Sequence, residues 1–326
     1  MRPSLVAALV ATIALTASAC SSSAGPAADD DTVTVVVTTT ILGELVTDLV
    51  GDDGAVEVLM APGQDPHGFA LSARQTQSVQ QADLVVANGL GLVPSVDDAL
   101  EAAEDAGVHV LRVAEELDPL PFGEDDHDED DHAEDDHDED DHGDHDHGSL
   151  DPHVWLDPIR MATGVELIAA ALDDVAPGVA DWTAAADVLA AEVLAVHDEV
   201  TEILSAIPDE CRRLVTNHDS LGYFAARYDF EVVGTVIPGA SSLAEPSAGE
   251  FAELVDVVRD SGVPAIFAET TESGALADVL AQETGGTIEV IRLYTGSLGE
   301  SGSGAETYAG MLVTDASLIA DALATC

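Results

Sequence analysis

The sequence predicts an α/β protein of two lobes, each a parallel sheet flanked by helices, joined by one long rigid helix. Three observations predict it: two series of short β-branched runs alternating with helix-length segments, an Ala-, Leu- and Val-rich stretch between them, and an acidic low-complexity insert ahead of that stretch. Alternation of strand and helix implies parallel sheets covered on both faces. At 326 residues and 46% apolar content the chain can fill two lobes of about 150 residues each.

The chain opens with Arg2, an apolar run over 5–15 and the small-residue stretch Ala17-Ser18-Ala19 before Cys20. That run is too short to span a bilayer and fits an export signal. Its pattern resembles a bacterial lipoprotein signal, in which Cys20 becomes the lipidated first residue of the mature chain, although Ala17 replaces the usual Leu. Ordinary cleavage after Ala-Ser-Ala is the alternative, and either reading exports the protein. Residues 21–31 are small, polar and acidic, as suits a flexible tether.

The first lobe is assigned to 32–178. Within it 33–38, 56–60, 84–87 and 108–113 are expected strands, and 41–50, 72–82 and 96–106 the helices between them. Residues 179–206 carry no Gly or Pro, and Pro208 follows, so they predict one helix of about 42 Å at 1.5 Å per residue. This linking segment, 179–207, is long enough to lie against both lobes. The second lobe, 208–326, repeats the grammar with strands at 214–216, 232–236, 265–268 and 288–291, and a last helix over 308–324. Cys211 and Cys326 both fall in this lobe of an exported chain, so a disulfide between them is expected; a closure that long is worth about 3 to 5 kcal/mol. Two free thiols are the other reading.

Nine Arg, no Lys and 64 Asp+Glu give a formal charge of −55. Such a chain repels nucleic acid and anionic membrane surfaces and favours cations as ligands, though acidity also serves solubility in salt. The insert at 124–148 concentrates this charge around His127, His132, His137, His142, His145 and His147. Histidines five apart are turned by about 140° beyond a full helical turn, so they share no helix face, and dense like charge disfavours helix. The segment fits a solvated, low-affinity collector of Zn²⁺ or a similar borderline cation, imidazole suiting zinc better than Mg²⁺ or Ca²⁺; a plain acidic linker is the alternative.

Three further histidines have better-defined settings. Asp65-Pro66-His67 follows the second strand, and the same tripeptide recurs at Asp151-Pro152-His153 as the insert ends. Proline fixes its own φ and extends the residue before it, which puts each histidine on a stiff turn. His218 follows the first strand of the second lobe, at the carboxyl edge where open α/β sheets bind ligands. His109, inside a strand, and His197, on the long helix, are expected to be structural.

Residues 61–77 (APGQDPHGFALSARQTQ), 151–158 (DPHVWLDP), 216–228 (TNHDSLGYFAARY), 266–270 (IFAET) and 293–299 (LYTGSLG) resemble the metal-binding receptors of bacterial zinc and manganese ABC importers. The resemblance spans the mature chain. It implies a monomeric, extracytoplasmic, lipid-anchored receptor, not an enzyme, that holds one metal between its lobes and delivers it to an ABC permease with its ATPase. His67, His153 and His218 match the three ligands; histidine at 218, where manganese receptors usually carry glutamate, implies Zn²⁺ as the transported ligand. Many relatives carry an aspartate ligand where this chain has Gly296, so the fourth position falls to water, an insert histidine or Glu269. Other readings are an exported zinc chaperone or storage protein, a manganese receptor of the same family, and a zinc hydrolase with Glu269 or Asp219 as base. No P-loop or transmembrane bundle is present in the sequence to power transport.

Overall fold

The computed structural model describes residues 32–122, 150–237, 239, 241–244, 246–324 and 326. The export signal with Cys20, the tether, and the insert with its six histidines lie outside the described residues.

The first lobe is built on β1 (Val33–Val37), α1 (Thr40–Val50), β2 (Gly54–Val58), α2 (Ala73–Gln81), β3 (Leu84–Ala87), α3 (Pro94–Asp105) and β4 (His109–Arg112). All pairings are parallel, in the order β2-β1-β3-β4. Val-rich β1 and β3 lie at the centre of this sheet and are buried almost throughout, as strands covered on both faces must be. β2 starts two residues earlier than the hydrophobic pattern predicts. Gly54 makes this possible: a Cβ there would lie 2.7 Å from side-chain carbons of Val33 and Val50.

After β4 the chain reaches the insert, whose flanks Pro121 and Leu150 form an antiparallel bridge. Then comes α4 (Pro158–Val175), a helix the sequence reading did not include. Asp157 caps it, accepting from the Ile159 and Arg160 N–H groups, and Pro158 occupies its first turn. The long helix, α5 (Trp182–Leu204), has 23 residues, about 35 Å, rather than the longer span expected. It begins late because Gly178 turns with positive φ and Asp181 caps at Ala184 N. The indole of Trp182 then folds back to donate to the Ala176 carbonyl.

The second lobe comprises β5 (Arg213–His218), α6 (Gly222–Tyr228), β6 (Glu231–Ile237), α7 (Ala248–Ser261), β7 (Ala265–Glu269), α8 (Ala275–Glu283), β8 (Glu289–Leu293) and α9 (Tyr308–Leu323). Its order, β6-β5-β7-β8, repeats the topology of the first lobe. In each sheet the order reverses beside the first strand, which opens a crevice at the carboxyl edge. Strand alternation divides the packing: Ala265 and Phe267 join the core shared with the first lobe, α4, α5 and α9, while Ile266 and Ala268 face a separate cluster with α7 and α8. The shared core and the returning α9, which packs on α5, unite the two sheets. Cys211 and Cys326 form a disulfide, Cα–Cα 5.7 Å, that ties the end of the chain to the entry of β5.

Candidate metal centre

Three buried histidines converge at the facing carboxyl edges of the sheets. His67 comes from the loop after β2, His153 from the segment before α4, and His218 is the last residue of β5. Their ring centroids lie 5.1 to 5.6 Å apart. Each can offer a nitrogen within 4.8 Å of the others. The Nε2 atoms of His153 and His218 are 3.2 Å apart. A tetrahedral ion with metal–nitrogen bonds of about 2.0–2.1 Å spans nitrogen pairs of about 3.3 Å, so this spacing suits one cation between them. His67 Nε2 is buried without a hydrogen-bond partner, a state that a bound cation would relieve.

The repeated Asp-Pro-His turns have the same internal bond. Asp65 Oδ1 accepts from the His67 backbone N–H at 2.9 Å, and Asp151 Oδ1 accepts from the His153 backbone N–H at 2.9 Å. These Asx turns hold the backbones of both histidines, a role for aspartate that reading the proline alone misses. Asp151 Oδ1 also lies 2.7 Å from His153 Nδ1. Holding the proton at Nδ1 aims the Nε2 lone pair into the cluster. Gly222 is required beside it, because a Cβ there would come within 2.7 Å of Asp151 Oδ2.

His218 is backed by a second carboxylate. Strands β5 and β7 pair Thr216 with Phe267, so His218 and Glu269, each two residues on, arrive side by side. Glu269 Oε1 sits 3.0 Å from His218 Nδ1 and accepts from Ser220 Oγ at 2.7 Å, while Thr271 donates to Oε2 at 3.2 Å. Glu272 Oε1 lies farther, 3.6 Å from the same nitrogen. Burial opposes charge on His218, yet Glu269, Glu272 and Asp65 outweigh it and raise its pKa to about 9. Burial works against the Glu269 carboxylate too, but His218 and the hydroxyls of Thr295 and Ser220 hold it at about 2. Burial, with the charges of His153 and His218, lowers His67 to about 3 and keeps it a neutral donor. A cation taken up at His218 Nε2 would therefore compete with a proton.

Gly296 stands against this carboxylate. A Cβ at 296 would lie 3.2 Å from Glu269 Oε2, 3.2 Å from Thr271 Oγ1 and 3.6 Å from Pro66 Cδ. An acidic side chain there would place a second negative charge against Glu269. Among the other histidines, His109 is exposed at the start of β4, and His197 on α5 stacks on Tyr228. Neither approaches the cluster.

The family model described as "Zinc-uptake complex component A periplasmic" matches residues 35–322. The chain belongs to this family. It is accordingly a metal-binding receptor of the ABC-importer type, which works with a permease and an ATPase, and not an enzyme. Among similar proteins, the manganese-binding lipoprotein MntA of Halalkalibacterium halodurans is 29% identical over 83% of this chain and 82% of its own. The zinc-binding protein TroA of Treponema pallidum is 27% identical over 87% and 86%. The solved structure of the Treponema pallidum periplasmic zinc binding protein TroA superposes with a TM-score of 0.77 at 26% identity, covering 90% of this chain and all of that one. Family membership thus fixes divalent-metal binding, while these relatives divide between zinc and manganese. No helix among the described residues is long and apolar enough to cross a membrane.

Proposed function

We propose that this receptor captures Zn²⁺ outside the cell, with His67, His153 and His218 as ligands, and hands it to its permease. The observation that carries this reading is the donor set: three buried imidazoles whose nitrogens lie within 4.8 Å of one another, two meeting through Nε2 at 3.2 Å. A nitrogen-rich, four-coordinate site favours zinc over manganese, which takes more oxygen ligands and sits below zinc in intrinsic affinity. Glu269 is not the fourth ligand in this reading. Its oxygens are engaged by Ser220, Thr271 and the Nδ1 side of His218, so it acts from behind the ligand. The fourth position is left to water or an insert histidine, an openness that suits release.

Cys20 supplies a lipid anchor in this account, and residues 124–148 raise the local metal concentration beside His153, which follows them closely in sequence. The test is competition titration with Zn²⁺ and Mn²⁺ on the mature protein, on a form lacking 124–147, and on a His67→Ala, His153→Ala, His218→Ala variant. One tight zinc site that survives loop deletion and disappears in the triple variant is expected. A tight site that instead follows the loop would favour storage or buffering. Tighter binding of Mn²⁺ than Zn²⁺ in the cleft would refute the zinc assignment.

A further inference from the structure

The ligands His67 and His218 belong to opposite lobes, and a line of polar side chains outside the histidine cluster joins them. On the first lobe, Asp65 pins the His67 backbone through Oδ1. Its other oxygen, Oδ2, accepts from Ser242 Oγ at 2.9 Å, a bond reaching across 177 residues of sequence to the turn after β6. In that turn Leu243 brings Cδ2 to 3.8 Å from where a Gly68 Cβ would lie, so the segment rests on the His67 loop. The Ser242 hydroxyl also approaches Glu272. Glu272 in turn has Oε2 bound to the amide of Asn217, the neighbour of His218, and Oε1 3.6 Å from His218 Nδ1. Its side chain is only 8% exposed, and Oε1 has no hydrogen-bond partner. Arg292 donates to the carbonyls of Glu269 and Glu272, fixing the turn that presents both carboxylates.

We infer that Ser242 and Glu272 are positioning residues which, through Asp65, hold the His67 and His218 ligands of the two lobes in mutual register and so set the rate at which the metal leaves. A hydroxyl has one proton, and here it is given to Asp65, closing the link between the lobes. Glu272 forms the second-lobe end of the line, bound to the Asn217 amide through Oε2 and beside His218 Nδ1 through Oε1. Loss of either member should free one ligand loop to open without disturbing the ligands themselves. This inference rests on the three-histidine reading and adds residues that touch no metal in it.

The experiment is zinc release from the full chain, loaded with one equivalent of Zn²⁺ and challenged with excess chelator, for the wild type, Ser242→Ala, Ser242→Thr, Glu272→Gln and the Ser242→Ala, Glu272→Gln double variant. The wild type and His67→Ala first establish whether the cleft holds the ion; no loss of zinc in His67→Ala would refute the ligand assignment rather than the link. With that assignment standing, each single variant should release zinc about tenfold faster, as loss of outer-shell support typically does. The double variant should be no faster than the faster single one, since both cut the same link, and Ser242→Thr should restore the wild-type rate. Melting of the zinc-free forms should be unchanged, which separates positioning from general destabilisation. Single variants that release zinc at the wild-type rate, or effects that multiply in the double variant, would overturn the inference.

Discussion

At the scale of the residue, two of the three histidines carry a carboxylate on the nitrogen that faces away from the cluster: Asp151 at 2.7 Å from His153 and Glu269 at 3.0 Å from His218. Such outer partners fix the ring and raise its donor strength, and their loss typically costs 10- to 100-fold in metal affinity. Glu269→Gln should therefore weaken zinc binding by at least about tenfold, while circular dichroism remains that of the wild type. Unchanged affinity would mean that the Nδ1 contact does not support the ligand. Gly296 belongs to the same local design. Gly296→Asp would force a carboxylate against Glu269 Oε2, which a Cβ at 296 already approaches to 3.2 Å, and zinc-free Gly296→Asp should melt below the wild type.

At the scale of the element, the last helix is held at its middle and beyond its C-terminal end. Asp315, on α9, is buried and accepts from the Tyr294 N–H just after β8 through both oxygens, at 2.9 and 3.2 Å. Burial is the main cause that raises its pKa to about 8, against an ordinary value of 3.8. A carboxyl raised on folding stays protonated in the native state after the unfolded chain has lost its proton. Its contribution is thus fully present below about pH 4 and declines as pH rises to about 8, at up to 1.4 kcal/mol per pH unit. Glu44, raised to about 7 by burial and then Asp48, acts with the same sign. Asp315→Asn keeps an acceptor for Tyr294 and cannot ionise, so urea unfolding should show it gaining on the wild type between pH 5 and pH 8, by about 2 to 4 kcal/mol. Beyond the C-terminal end of α9, the Cys211–Cys326 bridge closes a loop with a separation of 115 residues. Removing it by Cys211→Ala with Cys326→Ala should cost about 2 to 5 kcal/mol of stability, without loss of the three-histidine cluster, which no part of the bridge touches.

At the scale of the whole molecule, the βα grammar made the two sheets legible because parallel strands buried on both faces are continuous apolar runs, as in Val33–Val37. The three histidines were legible because two stand in a repeated Asp-Pro-His turn and the third ends a strand. Their carboxylate partners were not, since 64 acidic residues give no local sign of which one a fold will bury; the pairing of Glu269 with His218 follows from strand register. Helix α4 was missed because its Ala-rich apolar stripe is indistinct, though its cap was present. Neither the order of strands in the sheets nor the bonds across the cleft can be read from local pattern. Thr40 Oγ1 lies 3.0 Å from Ser297 Oγ, Gly63 N–H donates to the same Ser297 hydroxyl at 3.0 Å, and the Trp155 indole donates to the Thr295 carbonyl at 2.7 Å. Tyr308 and Tyr223 add phenol bonds to the carbonyls of Trp155 and Asp151. With an apolar core continuous from β1 through α4, α5 and α9 to one face of the second sheet, opening the lobes as rigid bodies would break buried bonds at both sides of the site together. Zinc binding should accordingly change the backbone by no more than about 1 Å overall. X-ray scattering with and without zinc should then give superimposable profiles, and hydrogen exchange should slow chiefly in the His67 loop, the end of β5 and the turn at Ser242. A large fall in radius of gyration on adding zinc would contradict this, and would require the contacts of Ser297 and Trp155 to form only in the loaded state.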